Sequence, residues 1–388
     1  MPDCETKMQR TGLGRYTRGV TETTTALEAL PLREDLRGRL PYGAPMIDVP
    51  VTLNVNENTH PMPQEVIDAI TRDVAEAAVT LNRYPDREFD TLRAELANYL
   101  GHGLTPENIW AANGSNEILQ QLMQVFGGPG RSVMSFAPTY SMYPLLADGT
   151  NTAFIAGTRA ADYSLTAASA VEQIEEHKPS IVILCSPNNP TGTGLGLDVI
   201  EAVYDAVAAY NGIVVVDEAY AEFAQDRTQN ALTLLPGRPN LVVSRTMSKA
   251  FALAGARLGY FAADPAVADA VRLVRLPYHL SAVTQATAIA ALRHRTQLLA
   301  NVDDIRAQRD RIVEHLTGLG LEPAVSDSNF VFFGGLKDEK AAWNYLLERG
   351  VLVRDNGIPG YLRVTAGTEA ETSAFLDHLT DYVQTFER

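Results

Sequence analysis

The chain has 388 residues, of which 46% are hydrophobic and 20% charged, and its formal net charge is −15. This length suits two lobes, and the acidic balance disfavours a nucleic-acid-binding protein, whose surface needs basic groups to meet phosphates. No apolar run is as long as the roughly 18 residues that a transmembrane helix needs, so neither a membrane span nor a membrane partner is predicted.

Cysteine and histidine usage excludes two further classes of protein. Cys4 and Cys185 are the only cysteines, which indicates no disulfide framework and favours a reducing cytoplasm. The histidines are scattered without metal-ligand spacing, so no metal site is predicted. The polar stretch 1–26 lacks the apolar core of a signal peptide and predicts a flexible N-terminal extension.

From residue 64 the chain alternates between predicted helices and short apolar strands. The predicted helices span 64–78, 114–126 and 197–212. The predicted strands are RSVMSF, SIVILC, GIVVVD and NLVVSR. Ser115 and Asn116 are expected to cap the second helix, and Asn211 with Gly212 to end the third. Continuous Val/Ile-rich runs suit strands buried on both faces of a parallel sheet, so the pattern predicts an α/β fold.

The C-terminal part predicts a second, smaller α+β lobe. A long helical region is expected over 284–318, and it is followed by the strand NFVFF, a helix at 343–348, the strands GVLVRD and YLRVTAG, and a last helix. The predicted division is an extension at 1–26, a segment at 27–60 that joins the small domain, a large domain at 61–285 and a small domain at 286–388.

Polar residues stand at or just after the ends of three predicted strands. Asn189 follows IVILC, Asp217 follows GIVVV, and Lys249 follows LVVS. The carboxyl ends of parallel strands line one crevice, so these three side chains are expected to converge. Each also has a purely structural interpretation: Asn189 as turn chemistry, Asp217 as the cap of a helix begun at Glu218, and Lys249 as a surface lysine. Taken together, the three residues fit one shared ligand better than three unrelated structural roles.

Pyridoxal phosphate is a ligand that would use this set of groups. A lysine such as Lys249 forms its Schiff base, and Asp217 would keep the ring nitrogen protonated. Tyr220 could hydrogen-bond the ring hydroxyl, which Asn189 can also reach. Tyr140 could stack on the ring, although an anchored loop would explain it as well.

The cofactor's phosphate requires a helix N-terminus and a forked cation. The stretch GSNE offers the amides near Ser115 and Asn116, and Arg257 offers the guanidinium. Thr246 and Ser248 add hydroxyl groups beside Lys249.

The chain resembles the pyridoxal-phosphate aminotransferases of fold type I and, within them, the histidinol-phosphate aminotransferases. The matching stretches keep the family's order over nearly all of the chain after about residue 40. They are LNVNEN, NRYPD, ANGSNEIL, PTYSMY, SPNNPTGT, VVDEAYAEF, RTMSKAFALAGARLGY, SNFVFF and VLVRDNGIPGYLRVTAGT.

The resemblance implies a large pyridoxal-phosphate-binding domain with a mostly parallel, helix-covered central sheet, and a smaller α+β domain. It implies that Lys249, Asp217 and Tyr220 are catalytic. It also implies the contacts with the cofactor given above, which are those of Asn189, Tyr140, Ser115, Asn116, Thr246, Ser248 and Arg257. It further implies that Tyr84 reaches in from a partner subunit, so that a homodimer has shared active sites. Lys249 must be neutral to move a proton, so its pKa is expected to fall, through apolar surroundings and Arg257.

Two departures from the family pattern occur near the site. Thr59 and His60 stand before Pro61, where the family usually has proline directly after NEN. Ala252 and Ala256 replace the commoner glycine and bulky apolar residue of the lysine motif. The first departure touches a segment near the substrate.

Two arginines predict the recognition of an anionic substrate. Arg354 and Arg363 flank DNGIPGY, and they would face each other if the two strands pair. Like charges directly opposite are unfavourable, and an anion between them relieves the repulsion. The plain alternative is two surface arginines. The resemblance assigns both, with Tyr42, to the phosphate of histidinol phosphate and the carboxylate of glutamate.

The predicted reaction therefore moves an amino group between L-histidinol phosphate and 2-oxoglutarate, in histidine biosynthesis. The nearest alternative is an aromatic-amino-acid aminotransferase on the same scaffold. A pyridoxal-phosphate-dependent phospho-amino-acid decarboxylase comes next. A ligand sensor would need an added basic DNA-binding module, and the acidic charge disfavours it.

Overall fold

A computed structural model describes residues 29–38 and 43–387. The chain divides into two units, Met1–Met46 and Ile47–Arg388. In the described part of the first unit, a short 3-10 helix spans Glu34–Leu36, and Arg37 pairs with Glu34 at 3.2 Å. The extension predicted at 1–26 lies outside the described residues.

The second unit contains the regular secondary structure around the site. Its α-helices are α1 (Gln64–Ala78), α2 (Asp90–Leu100), α3 (Ser115–Phe126), α4 (Met142–Gly149), α5 (Ala167–His177), α6 (Leu197–Ala208), α7 (Pro265–Arg272), α8 (Ala282–Arg293), α9 (Arg295–Leu298), α10 (Val302–Gly318), α11 (Glu339–Glu348) and α12 (Glu369–Tyr382). Its strands are β1 (Val51–Thr52), β2 (Ile109–Ala112), β3 (Ser132–Ala137), β4 (Ala153–Thr158), β5 (Ile181–Cys185), β6 (Ile213–Asp217), β7 (Leu241–Thr246), β8 (Gly259–Ala263), β9 (Glu322–Pro323), β10 (Phe330–Gly334), β11 (Val351–Leu352) and β12 (Leu362–Thr365). Short 3-10 helices span Pro106–Asn108, Ala221–Phe223, Ala231–Leu234 and Ala254–Ala256.

Within residues 43–387, seven strands form the central sheet in the order β2-β8-β7-β6-β5-β3-β4. Parallel ladders join β4, β3, β5, β6 and β7, and β8 runs antiparallel to both β7 and β2. Every residue of β5, β6 and β7 is buried, as their continuous apolar runs predict for a sheet covered on both faces. The predicted α/β class with a mostly parallel central sheet is confirmed.

The strand order places a ligand crevice at one position in this sheet. After β3 the chain continues to β4 on the outer side and then returns to β5 on the other side of β3. Ligands bind at the carboxyl ends of strands where such a reversal occurs, because the loops diverge there and leave an opening. The loops after β3 and β5 carry Tyr140 and Asn189 to this opening.

A second hydrophobic core lies under the C-terminal strands. Strands β12, β10 and β9 form an antiparallel sheet, and Phe330, Phe333 and Phe375 are buried in its core. Strand β1 pairs in parallel with β11 in a separate two-stranded sheet. The exact division into large and small domains stays a prediction.

Several helix boundaries differ from the predictions. Helix α1 has the predicted bounds, 64–78, but α6 ends at Ala208, and Asn211 adopts a left-handed φ of 60° beyond it. The predicted helical region 284–318 is confirmed, and it is divided into the three helices α8, α9 and α10. Asp303 and Asp304 occupy the first turn of α10, where carboxylates favour a new helix start. Ser115 and Asn116 do not cap α3: Gly114 is the N-cap residue, and no side chain caps it.

Among the described residues, no helix combines the length and the apolar character that crossing a bilayer requires.

Candidate active site

The sheet register brings the three predicted strand ends together. Cys185 at the end of β5 pairs with Asp217 at the end of β6, and Asp217 pairs with Ser244 in β7. Asn189 and Lys249 follow β5 and β7 by a few residues. The expected convergence of the Asn189, Asp217 and Lys249 segments is therefore observed, and it follows from parallel pairing in register.

Asp217 is a buried carboxylate held by two hydroxyl groups. Tyr143 Oη donates to its Oδ2 at 2.8 Å, and Ser244 Oγ donates to its Oδ1 at 3.4 Å. Burial raises the pKa of Asp217 to about 6, although both hydrogen bonds oppose the rise. Asp217 caps no helix, because the next element is the 3-10 helix at Ala221–Phe223. A carboxylate with this environment gains much from a nearby cation.

Lys249 is half-buried, and its amine donates to the backbone carbonyl of Val55 at 2.9 Å. Burial lowers the pKa of Lys249 to about 8, and the positive charge of Arg363 adds to this effect. Glu57 opposes the shift, and Arg257 contributes a smaller lowering. The predicted lowering of the Lys249 pKa is confirmed, and so is the predicted contribution of Arg257 to it. The larger electrostatic contribution, from Arg363, was not predicted.

Tyr220 lies at the centre of a buried polar chain. Its hydroxyl accepts from Asn56 Nδ2 at 3.0 Å and from Asn189 Nδ2 at 3.4 Å. Asn189 Oδ1 in turn accepts from Arg363 Nη1 at 2.6 Å. Arg363 also donates from Nη2 to the backbone carbonyl of Asn54 at 2.8 Å. The predicted neighbours Asn189 and Tyr220 thus lie together, and the chain connects them to Arg363.

An anion cradle forms where α3 begins. The first amides of a helix have no partner within it, and Ser115 and Asn116 supply two of them. Arg257 Nη1 donates to Ser248 Oγ at 3.3 Å, and Thr246 Oγ1 donates to the same oxygen at 3.0 Å. Of the residues predicted to bind the phosphate, Thr246 and Arg257 are therefore linked through Ser248. Ser115 and Asn116 lie at the start of α3.

Two glycines allow the parts of this cradle to approach each other. At Gly114 the φ is +84°, and a Cβ would lie 2.3 Å from Arg257 Nη2. At Gly259 a Cβ would lie 2.2 Å from the amide nitrogen of Ser115. The guanidinium therefore lies against the helix start, an arrangement that any side chain at either position would block. Free amides, hydroxyl groups and a guanidinium form a donor set that fits a phosphate group.

The remaining predicted site residues occupy different places. Tyr140 donates to Asn116 Oδ1 at 3.3 Å and meets the ring of Tyr143 edge-on. Tyr84 is 79% exposed and stacks on Tyr278, with ring centroids 4.4 Å apart, so one copy of the chain does not bury it. Tyr42 lies outside the described residues.

Arg354 and Arg363 form an antiparallel bridge, as the pairing of the two flanking segments predicted. Arg363 is 5% exposed, and its guanidinium lies 5.0 Å from the ring centre of Phe330. Arg354 is half-buried. The alternative of two solvent-facing surface arginines is wrong for Arg363.

Sequence reasoning missed Tyr143 and Asn56. Both lie inside stretches that carry the family resemblance, PTYSMY and LNVNEN, but no spacing rule connects Tyr143 to Asp217 or Asn56 to Tyr220. Tyr143 stands three residues after Tyr140, which is the one local hint that both line the same opening. Within the described residues, no group of three or more His, Cys, Asp or Glu side chains could hold a metal ion.

Comparison with known proteins adds independent findings. Residues 49–379 match the family model described as aminotransferase class I and II. A protein of Paenarthrobacter aurescens named histidinol-phosphate aminotransferase is 68% identical over 353 residues, which cover 91% of this chain and 95% of that protein. The protein of the same name from Thermobifida fusca is 56% identical over 357 residues, with coverages of 92% and 96%.

A solved structure shows the same architecture. It is histidinol-phosphate aminotransferase from Sinorhizobium meliloti in complex with pyridoxal-5′-phosphate. The two structures align with a TM-score of 0.83 and 26% sequence identity, over 92% of this chain and 99% of the other.

Proposed function

Because the chain belongs to the class I and II aminotransferases, we propose that it transfers the amino group of L-histidinol phosphate to 2-oxoglutarate. The products are glutamate and the ketone imidazole acetol phosphate, so one amine and one carbonyl exchange places. Two relatives of high identity that carry this activity in their names support the substrate. The observation that supports it within the structure is the backbone bridge that puts Arg354 directly opposite Arg363. Two guanidinium groups at such neighbouring positions suit an anion.

Pyridoxal 5′-phosphate is the cofactor in this proposal, and the residues present fit it. The donor set at the start of α3 suits its phosphate: the amides of Ser115 and Asn116, the hydroxyl groups of Thr246 and Ser248, and the guanidinium of Arg257. When bound, the cofactor supplies an aldehyde that takes up the substrate's amino group and a ring that draws electrons from the adjacent carbon.

Four side chains act on the cofactor ring in this proposal. Asp217 pairs with the ring nitrogen and keeps it protonated, because a buried carboxylate with a raised pKa gains from a cationic partner. Tyr220 and Asn189 hydrogen-bond the ring oxygen, and Tyr140 stacks on the ring face. Together these side chains would hold the cofactor ring in one orientation.

Lys249 holds and moves the proton at the substrate carbon. A positioned base of this kind typically contributes ~10²–10⁴-fold to a rate. The pKa of Lys249, lowered to about 8, makes a neutral amine far more available near neutral pH than in an ordinary lysine. Arg363 therefore has two effects: its charge lowers this pKa, and its guanidinium holds Asn189.

The substrate's phosphate binds between Arg354 and Arg363 in this proposal, and the part of Tyr42 rests on the family resemblance alone. In the second half-reaction the same arginines bind a carboxylate of 2-oxoglutarate and of the glutamate formed from it. One clamp can serve both substrates because phosphate and carboxylate both accept paired hydrogen bonds from a guanidinium.

The active unit in this proposal is a homodimer in which Tyr84 completes the partner's site. Exposed apolar side chains on the segments that follow α1 and α7 support it: Val79, Leu81, Tyr84, Leu273 and Leu276. The two segments are held together, because Glu88 pairs with both Arg272 and Arg275. Large exposed apolar side chains on neighbouring segments favour an interaction site, and a second copy of the chain would cover them. A cytoplasmic location stays a prediction from composition.

The test is a transamination assay of the purified holoenzyme with 2-oxoglutarate and histidinol phosphate, phenylalanine, tyrosine or aspartate. We expect the highest kcat/KM with histidinol phosphate. A higher kcat/KM with phenylalanine or tyrosine would instead establish the aromatic-amino-acid aminotransferase, and release of carbon dioxide would establish the decarboxylase.

A further inference from the structure

The hydroxyl of Tyr220 has both of its acceptor positions in use. Asn56 Nδ2 and Asn189 Nδ2 approach its oxygen at 3.0 and 3.4 Å. A hydroxyl group offers one proton and two acceptor lone pairs. With two amides donating to the oxygen, the Tyr220 proton remains available for a third group. Burial raises the pKa of Tyr220 to about 12, so the proton is present at neutral pH.

The orientation of Asn189 follows from its other partner. Its side-chain oxygen receives Arg363 Nη1 at 2.6 Å. A guanidinium can only donate, so the amide oxygen of Asn189 faces Arg363 and the amide nitrogen faces Tyr220. This contact fixes one of the two donors.

The orientation of Asn56 follows from Thr365. The Thr365 hydroxyl accepts from the backbone amide of Asn56 at 3.0 Å and donates to Asn56 Oδ1 at 3.2 Å. Thr365 is 1% exposed, so its proton needs this acceptor. The amide nitrogen of Asn56 is consequently turned toward Tyr220. Asn329 Nδ2 donates to the Asn56 backbone carbonyl at 3.1 Å, a contact that does not decide which way the Asn56 side chain faces.

We propose that Asn56 is a positioning residue that directs the hydroxyl proton of Tyr220 onto the ring oxygen of the cofactor. The inference rests on the proposed function. A hydrogen bond donated to that oxygen favours its charged form, so it lowers the pH at which the bound cofactor loses its proton. Asn56 thus acts on the cofactor through Tyr220 without contacting it.

The test is a pH titration of the visible absorbance of the holoenzyme and of matched variants. Asn56→Gly removes the amide and tolerates the left-handed φ of 58° at this position. Asn56→Asp keeps the shape and turns a donor into an acceptor, which attracts the Tyr220 proton away from the cofactor. We expect the absorbance midpoint to rise in both variants, by about one pH unit in Asn56→Asp and by less in Asn56→Gly.

A double-mutant cycle decides whether the effect passes through Tyr220. In a Tyr220→Phe background, Asn56→Gly should leave the midpoint unchanged. Thr365→Val frees the Asn56 side chain to turn and should therefore raise the absorbance midpoint. It replaces the Asn56 variants in the test if either of them does not fold. Asn329→Ala is the control: it loosens the same segment and should lower thermal stability without moving the midpoint.

Each outcome has a definite meaning. The inference is overturned if Asn56→Gly leaves the absorbance midpoint unchanged. It is also overturned if Asn56→Gly moves the midpoint equally with and without Tyr220. If the wild-type protein shows no cofactor absorbance at all, the proposed function fails first, so the two failures are distinguishable.

Discussion

Arg354 and Arg363 lie directly opposite each other and exchange two backbone hydrogen bonds, each with an N···O distance of 2.9 Å. Their Cα atoms are therefore close, and the two positively charged side chains start from neighbouring positions. Arg363 is buried and bound to Asn189, whereas Arg354 is half-buried. The two arginines are thus not equivalent, and their substitution should have different consequences.

Arg354→Ala should narrow the preference for histidinol phosphate over phenylalanine, because it removes one of the two partners of a dianion. Each charge-assisted hydrogen bond contributes about 1.5–3 kcal/mol, so we expect roughly a tenfold or larger loss in kcat/KM for histidinol phosphate and a smaller loss for phenylalanine. Arg363→Ala should damage both half-reactions. Arg349→Ala, which removes a guanidinium stacked on Tyr345, is the matched control. An equal loss for both substrates in Arg354→Ala would show that the pair does not recognise phosphate.

Lys249 should bond to the cofactor with a pH dependence centred near its lowered pKa of about 8. Mixing cofactor-free protein with cofactor at several pH values, trapping with borohydride and mapping peptides should label Lys249 and give this midpoint. Arg363→Ala should raise the midpoint, because the Arg363 charge disfavours a protonated amine. Lys249→Ala should bind cofactor noncovalently and lose transamination. A stable label on another lysine would refute the assignment.

Asp217→Asn should keep the fold and bind cofactor, yet lose most of the transamination rate, because an amide does not hold the ring nitrogen protonated. In cofactor-free protein, the pKa of Asp217 is raised to about 6 from 3.8, so the folded state binds this proton more tightly than the unfolded state. The folding free energy from that proton is fully present below about pH 4 and is lost as pH rises through about 6.

Urea unfolding of cofactor-free protein at pH 4.5 and pH 7.5 measures this dependence. Asp217→Asn should reduce the pH-dependent loss of stability relative to wild type, since the amide does not ionise. Asp377→Asn, which changes an exposed carboxylate on α12, should leave the loss as it is. Tyr143→Phe should enlarge the pH-dependent loss of stability, because the Tyr143 hydrogen bond opposes the raised pKa of Asp217. Equal pH slopes in all four proteins would contradict the environment described for Asp217.

Ala252→Gly should stabilise the protein. Ala252 adopts a φ of 54°, and a non-glycine residue costs about 1–2 kcal/mol in the left-handed region. Glycine relieves this strain and gives back part of the gain through its more flexible unfolded state, so we expect a net increase of about 0.5–1 kcal/mol in unfolding free energy. The control Ala75→Gly, on an exposed turn of α1, should instead destabilise by up to about 1 kcal/mol. Chemical denaturation measures both.

Leu273→Asp should weaken a homodimer, because it would place a charge in the apolar surface that a second copy covers. Leu273 is 85% exposed, and Val325, at 78%, lies outside that surface and provides the control Val325→Asp. We expect sedimentation velocity at micromolar concentration to show dimers for wild type and Val325→Asp and a monomer fraction for Leu273→Asp. Faster cofactor loss should accompany the monomer. A monomeric wild-type protein would overturn the shared site.

The sequence by itself determined the fold class and the outline of the site. Apolar runs marked β5, β6 and β7, and parallel strands must present their carboxyl ends on one side, so the convergence of Asn189, Asp217 and Lys249 could be predicted. The pairing of Arg354 with Arg363 also followed from a short local turn. These inferences succeed because period, strand length and turn chemistry are local properties of the chain.

Only the tertiary structure decided which groups satisfy the buried polar atoms. Asn56 and Thr365 are 309 residues apart, and Tyr143 and Asp217 are 74 apart, so no local pattern links either pair. Arg363 lowers the pKa of Lys249 although the two residues are far apart in the sequence. The physical reason is that hydrogen bonds and charges act over a few ångströms of space, and distances of that size between remote residues are set by strand order, twist and packing.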